Sequence, residues 1–160
     1  MPIAHINIGS NLGDSLALIE QAAAGIALLA SDGTAMRRSR IVESEPWGFT
    51  STHRFLNMGV EITTNLPPNE LLHRLQTIEH IISTSSHRNA DGGYTDRLID
   101  IDLICMEQTV TDTPTLTLPH PRMHLRRFVL EPLLELSPQW IHPLLHKTPA
   151  QMLADINEKA

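Results

Sequence analysis

Arg97-Leu98-Ile99-Asp100-Ile101-Asp102-Leu103-Ile104-Cys105 alternates branched apolar residues with two aspartates. This is the period of a β-strand, and it predicts Ile99, Ile101 and Leu103 on one face with Asp100 and Asp102 on the other. Residues two apart on a strand lie about 6.5 Å apart along the backbone, near enough for two carboxylates to converge on one cation or on two adjacent ones. An acidic outer face of a two-sided strand would read the same way. The apolar run through Ile104 and Cys105 points instead to a central, covered strand. There, bare carboxylates would repel one another and lose hydration. A hard cation such as Mg²⁺, held by two carboxylates and completing its shell with substrate phosphates, suits that setting.

Immediately upstream, Ser83 to Gly93 has no apolar residue larger than alanine and carries His87 and Arg88. It reads as a mobile loop, either a plain linker or a lid over charged substrate. Before it, Asn65 to Glu70 opens a helix whose prolines suit a first turn. Leu71, Leu72, Leu75, Ile78, Ile81 and Ile82 form the apolar side of this helix, and Gln76 and Glu79 share a neighbouring stripe. Downstream, Leu116 to Pro121 is a short edge-like segment, followed by Arg122, His124, Arg126 and Arg127 and by a helix over Phe128 to Leu136. The tail from His142 is expected to form a terminal helix.

Farther out, Ile3 to Ile8 alternates as a strand and turns through Gly9-Ser10-Asn11-Leu12-Gly13 into a helix over Leu16 to about Ala30, with Asp14 or Ser15 as its cap. The glycine pair resembles a phosphate loop but lacks the Walker lysine and spacing, so a tight connection is the reading preferred. A second strand spans Met36 to Val42 and a third Phe55 to Thr63, separated by a polar loop from Glu43 to His53 that carries Trp47. Trp47 suits either packing against the core or a flat heterocycle. Asn57 offers an amide donor and acceptor to a planar ligand, or to a neighbouring strand. The order strand, helix, strand, strand, helix, strand predicts an α+β, ferredoxin-like βαββαβ core: an antiparallel sheet, helices on one face and small C-terminal additions, in one domain over residues 1–160.

Composition narrows the function. A formal net charge of −6 argues against a nucleic-acid binder. Ten of the twelve basic residues are arginine, whose forks can hold polyphosphate locally in an acidic chain. Cys105 is the single cysteine, so no intrachain disulfide or cysteine-rich zinc site is available. No apolar run approaches a membrane span, and the N-terminus is too short and too alternating for a signal peptide. A cytoplasmic monomer without membrane partners is expected.

Ile8-Gly9-Ser10-Asn11-Leu12-Gly13, Phe55-Leu56-Asn57, Arg97-Leu98-Ile99-Asp100-Ile101-Asp102 and Leu118-Pro119-His120-Pro121-Arg122-Met123 follow one another at spacings that resemble the 6-hydroxymethyl-7,8-dihydropterin pyrophosphokinases of folate biosynthesis. The likeness runs from Ile3 to about Pro143. It implies transfer of diphosphate from ATP, the co-substrate, to the pterin hydroxymethyl oxygen, with release of AMP and two Mg²⁺ ions. By position in the family, Asp100 and Asp102 would hold metal, and Arg97 and Arg126 would act on the phosphates. Gln76, Glu79, Arg88, Tyr94, Leu103, Thr117 and His120 would lie on the nucleotide side. Ser44, Trp47, Phe55, Asn57 and Phe128 would surround the pterin, with the two phenylalanines sandwiching its ring. Tyr94 stands where the family often has tryptophan, and the loop before it is a few residues longer and poorer in arginine. Asp102 or a metal-bound group would take the hydroxyl proton. A ferredoxin-like sensor without catalysis, or a metal-dependent phosphohydrolase, are the competing readings of the same residues.

Overall fold

The computed structural model describes residues 2–11, 14–44, 55–86 and 99–159. Its main sheet contains β1 (Ile3–Ser10), β2 (Arg37–Arg38), β3 (Val42–Ser44), β4 (Phe55–Thr63) and β5 (Asp100–Met106). The order across the sheet is β2, β4, β1, β5, with β3 also pairing with β4, and every described pairing is antiparallel. Helices α1 (Ser15–Ala27) and α2 (Pro68–Ser86) lie on one face, as the ferredoxin-like plan requires. Helices α3 (Arg127–Leu136) and α4 (Pro149–Lys159), with a 3₁₀ turn at Met123–Leu125, are the C-terminal additions. They cover the opposite face, so helices lie on both sides rather than one. A two-stranded ribbon of β6 (Thr111–Asp112) and β7 (Thr117–Leu118) completes the described structure.

Strand alternation decides which side chains go where. Ile6, Ile8, Met58, Val60, Ile62, Ile101 and Leu103 join Leu18, Ile19, Ala22, Leu71 and Leu75 in the core under α1 and α2. A second core contains Ile104, Cys105, Met123, Val129, Leu130, Leu133 and Met152. Both Ile104 and Cys105 belong to this second core because the β1–β5 register slips: His5 faces Cys105, but Ile6 faces Leu103. The extra residue is a β-bulge that turns two successive side chains to the same side.

Four expectations are corrected. First, among the described residues β5 lies at the edge of the sheet. Its apolar run reflects burial between helices on two faces, not flanking by two strands. Second, the strand expected over Met36 to Val42 is broken. Ser39 Oγ accepts the Gly59 N–H at 2.9 Å, and this side-chain bond interrupts the strand between β2 and β3. Third, α2 continues through Ser83 to Ser86 where a loop was expected, and Thr84 bonds back to the His80 carbonyl at 2.9 Å. Fourth, Asp14 occupies the α1 N-cap position but makes no side-chain cap bond.

Gly59 permits the close approach of α3 to the sheet. A Cβ there would lie 2.6 Å from Pro132 Cβ and 2.9 Å from His5 Cε1. Gly59→Ala is therefore expected to destabilise the fold by about 1–3 kcal/mol through overpacking. Urea unfolding measures this directly, and an unchanged midpoint would show that α3 can retreat without cost.

Candidate active site

The face of β4, β1 and β5 turned away from α1 and α2 forms a grid set by register. Across one row, Asp100 on β5 pairs with Gly9 on β1, which pairs with Asn57 on β4. In the next row Asp102, Asn7 and Gly59 are partners, and in the third Cys105, His5 and Glu61. The two aspartates thus share one face, as their alternation predicts, and both are half-buried. Two inter-strand spacings, about 10 Å in all, separate the Asp100 and Asn57 backbones. Gly9 between them carries no side chain, and a Cβ there would meet Asn57 Oδ1 at 2.9 Å.

On the β5 side, Asp100 and Asp102 open into a groove of about 380 Å³. Gln76, Glu79, Leu103, Thr117 and His120 also line it. The structure therefore brings together five of the described residues expected on the nucleotide side, while Arg126, expected on the phosphates, does not line the groove. They are not equivalent. Glu79 Oε2 accepts the Ile101 N–H at 2.9 Å, satisfying a backbone donor on the outer edge of β5. The His120 N–H binds the Ile104 carbonyl on that same edge at 2.7 Å. Leu103 belongs to the core beneath the groove, and Thr117 donates its hydroxyl to Asp112 at 3.1 Å. Leu72 and residues 113 to 116 complete the wall. Sequence reading does not place them at the site, because they share one groove only once the ribbon folds beside β5.

His120 is partly withdrawn from water. Burial first, then the charges of Arg126 and Arg122, lower its pKa to about 4. Its Nδ1 accepts the Arg122 N–H at 3.1 Å. The Arg126 guanidinium lies 5.8 Å from the centre of the Phe128 ring, in cation–π range.

On the β4 side, Asn57 Nδ2 donates to Ser44 Oγ at 3.0 Å and to the Val42 carbonyl at 3.5 Å. Ser44 pairs with Phe55 across β3 and β4, and α3, which begins beside Phe128, packs on both strands. Ser44, Phe55 and Asn57 are thereby grouped on the far side of Gly9 from the aspartates. Trp47, His87, Arg88, Tyr94 and Arg97 lie outside the described residues. Asn7 and Gly9 escaped the sequence reading as site residues, since only the register places them between the two groups.

A metal fits the donor set. Asp100 and Asp102 offer oxygen ligands alone, and among the described residues no group of three or more His, Cys, Asp or Glu could enclose an ion. Two carboxylates with an open remainder suit a hard cation that shares its shell with phosphate oxygens rather than a closed protein cage. A larger cavity, about 450 Å³, lies at the opposite end of this face beside His5, Glu61, Glu107 and Trp140. Its carboxylates are engaged internally: Glu61 by His5 and Ser137, and Glu107 by the Ile3 N–H. It is the poorer candidate for chemistry.

Comparison with known proteins agrees with this geometry. The family model described as 7,8-dihydro-6-hydroxymethylpterin-pyrophosphokinase matches residues 5–138. The chain is 41% identical over 144 residues to the 2-amino-4-hydroxy-6-hydroxymethyldihydropteridine pyrophosphokinase of Porphyromonas gingivalis, covering 89% of this chain and 95% of that one. It is 39% identical over 139 residues to the protein of the same name from Bacillus subtilis, covering 86% and 79%. The crystal structure of an HPPK-DHPS chain in complex with substrates superposes with a TM-score of 0.73 at 14% identity, covering 99% of this chain. The chain spans only 44% of that longer protein, so the likeness speaks for the fold alone. No helix among the described residues is long and apolar enough to cross a membrane.

Proposed function

The chain belongs to the 7,8-dihydro-6-hydroxymethylpterin-pyrophosphokinase family, and on that premise we propose that it transfers the diphosphoryl group of ATP to the hydroxymethyl oxygen of 6-hydroxymethyl-7,8-dihydropterin, a step of folate biosynthesis. The hydroxyl oxygen bonds to the β-phosphorus, the bond from that phosphorus to the α,β-bridging oxygen breaks, and AMP leaves. The observation that carries the reading is the pair Asp100 and Asp102, which stands between a nucleotide-sized groove and the Asn57 side of the same sheet face.

The residues divide the work by position. Asp100 and Asp102 would hold two Mg²⁺ ions, which when bound neutralise polyphosphate charge and favour in-line attack. Gln76, Thr117 and His120 line the nucleotide groove, while Glu79 holds β5 in place as its wall. Arg126 supplies positive charge toward the phosphates. Asn57 reads the pterin edge, and Phe55 and Phe128 take the faces of its ring, with Ser44 fixing the Asn57 amide. Arg97 and Arg88 on the phosphates, Tyr94 beside the nucleotide and Trp47 beside the pterin are assigned by family position alone. One domain, acting as a monomer in the cytoplasm, suffices for this reaction.

The direct test supplies purified protein with ATP and Mg²⁺, with and without the pterin. AMP together with diphosphorylated pterin, formed only when the pterin is present, is the expected result. Phosphate release without pterin would favour a phosphohydrolase, and binding of both ligands with no AMP would favour a sensor.

His120 gives the site a pH signature. Its folded pKa of about 4 lies below the ordinary 6.5, so the unfolded chain binds the proton more readily. Its contribution to stability is then complete above about pH 6.5 and is lost as pH falls toward 4. Polyphosphate offsets the charges of Arg126 and Arg122 and makes protonation of His120 easier. The rise in melting temperature produced by ATP is therefore expected to be larger at pH 5 than at pH 7 in the parent protein, and less so in His120→Gln. Equal increments in the two proteins would remove His120 from the nucleotide site.

A further inference from the structure

Asn7 lies between the two halves of the site, and its amide orientation can be worked out from the backbone. The Val42 carbonyl can only accept, so the Asn57 NH₂ must face β3. Asn57 Oδ1 therefore faces β1, where Asn7 Nδ2 donates to it at 3.4 Å. With its NH₂ committed to Asn57, Asn7 turns its own Oδ1 away from that residue. Asn7 is 3% exposed, and this oxygen has no hydrogen-bond partner among the described residues. A buried acceptor without a donor is unfavourable, so the fold retains the group at a loss. On the side away from β4, the strand partner of Asn7 is Asp102.

We infer that Asn7 is a positioning residue of the pterin site: its N–H fixes the Asn57 amide in the orientation that reads the pterin edge. The inference rests on the function proposed above and adds a residue that the sequence reading did not place there. Burial alone would favour an apolar side chain at this strand position. The amide is explained by what it does to Asn57.

The experiment is a double-mutant cycle read by binding. Pterin affinity and the affinity for a non-hydrolysable ATP analogue are measured for the parent, Asn7→Ala, Asn57→Ala and the double variant, with Asn7→Ser in reserve should the alanine variant fold poorly. Asn7→Ala is expected to weaken pterin binding about tenfold, the size of one lost hydrogen bond. Nucleotide affinity should be unchanged. In the Asn57→Ala background the same substitution should cost less than about twofold, because the two residues act as one unit. Removing the unpartnered oxygen and removing the Asn7–Asn57 hydrogen bond act on stability in opposite directions, so the melting temperature should move little. Unchanged pterin affinity, an equal loss in both backgrounds, or a parallel loss of nucleotide affinity would each overturn the inference while leaving the proposed function standing. A parent protein that binds no pterin would remove both.

Discussion

Asp100→Asn and Asp102→Asn are each expected to lower AMP formation by about 10²–10³-fold while the protein stays folded, the range found when one preorganised charge-stabilising group is removed from an active site. Each substitution keeps the shape of the side chain and removes the charge that a hard cation requires. The structural cost should be small because both side chains are half-buried and face the groove rather than the core. There is even a gain to set against it. The two residues lie about 6.5 Å apart along the backbone, their like charges repel, and either substitution relieves that repulsion. Activity and stability should therefore move independently or in opposite directions. A residue whose role is to hold the strand together would show them falling together.

Initial rates of AMP release at saturating ATP and pterin give the first quantity, and urea midpoints in magnesium-free buffer give the second. The concentration of Mg²⁺ needed for half-maximal rate should rise in both variants. Rates near the parent's in both would exclude the pair from the metal site and leave the groove as a binding feature only. A large loss in one alone would mean that the cations lean on a single carboxylate. That would separate a catalytic from a merely neighbouring aspartate, which register cannot do.

The legible part of the sequence was the part governed by period two. Alternation over Ile99 to Leu103 fixes which face each side chain occupies, and this alone puts Asp100 and Asp102 together. Alternation of Leu56 and Met58 with Asn57 and Gly59 does the same for β4. What alternation cannot give is lateral order. The apolar run ending in Ile104 and Cys105 looked like a central strand because burial by helices and burial by strands leave the same composition. The β-bulge that turns both residues to one face also leaves no mark in the letters. Ser39 fits the strand pattern by its letters, yet its hydroxyl accepts the Gly59 N–H and interrupts the strand. Asn7 was hidden for the same reason: its neighbours are 50 and 95 positions away in the chain, and only pairing reveals them.

Glu61→Gln is expected to destabilise the protein by about 3–5 kcal/mol at pH 7, the range for breaking a buried ion pair from one side, with activity retained wherever the variant remains folded. Glu61 sits in the same face grid two rows from Asn57, but at the end away from the groove. Its carboxylate is held by His5 Nδ1 at 2.9 Å and by Ser137 Oγ at 2.8 Å, with the Arg37 guanidinium at 3.6 Å. Burial by itself would raise its pKa. The hydrogen bond and charge of His5, then Ser137 and Arg37, outweigh that and hold it below the ordinary carboxylate value. An ionised carboxylate can only accept, so the proton of the His5 pair lies on Nδ1. Glutamine keeps the volume but offers one acceptor where two are used, and it places an NH₂ against a donor. The sign of the pH effect follows from the lowered pKa. The carboxylate's contribution is complete above the unfolded value of about 4.5 and disappears as pH falls through the folded one. The gap between parent and Glu61→Gln should thus be widest near neutrality and close in acid. A gap that stays constant down to pH 3 would mean that the loss comes from packing rather than charge. Equal stability at pH 7 would mean that the network does not hold α3 to the sheet at all. Either result would separate the scaffold at this end of the sheet from the chemistry at the other, where Asp100, Asn7 and Asn57 share the face but none of these bonds.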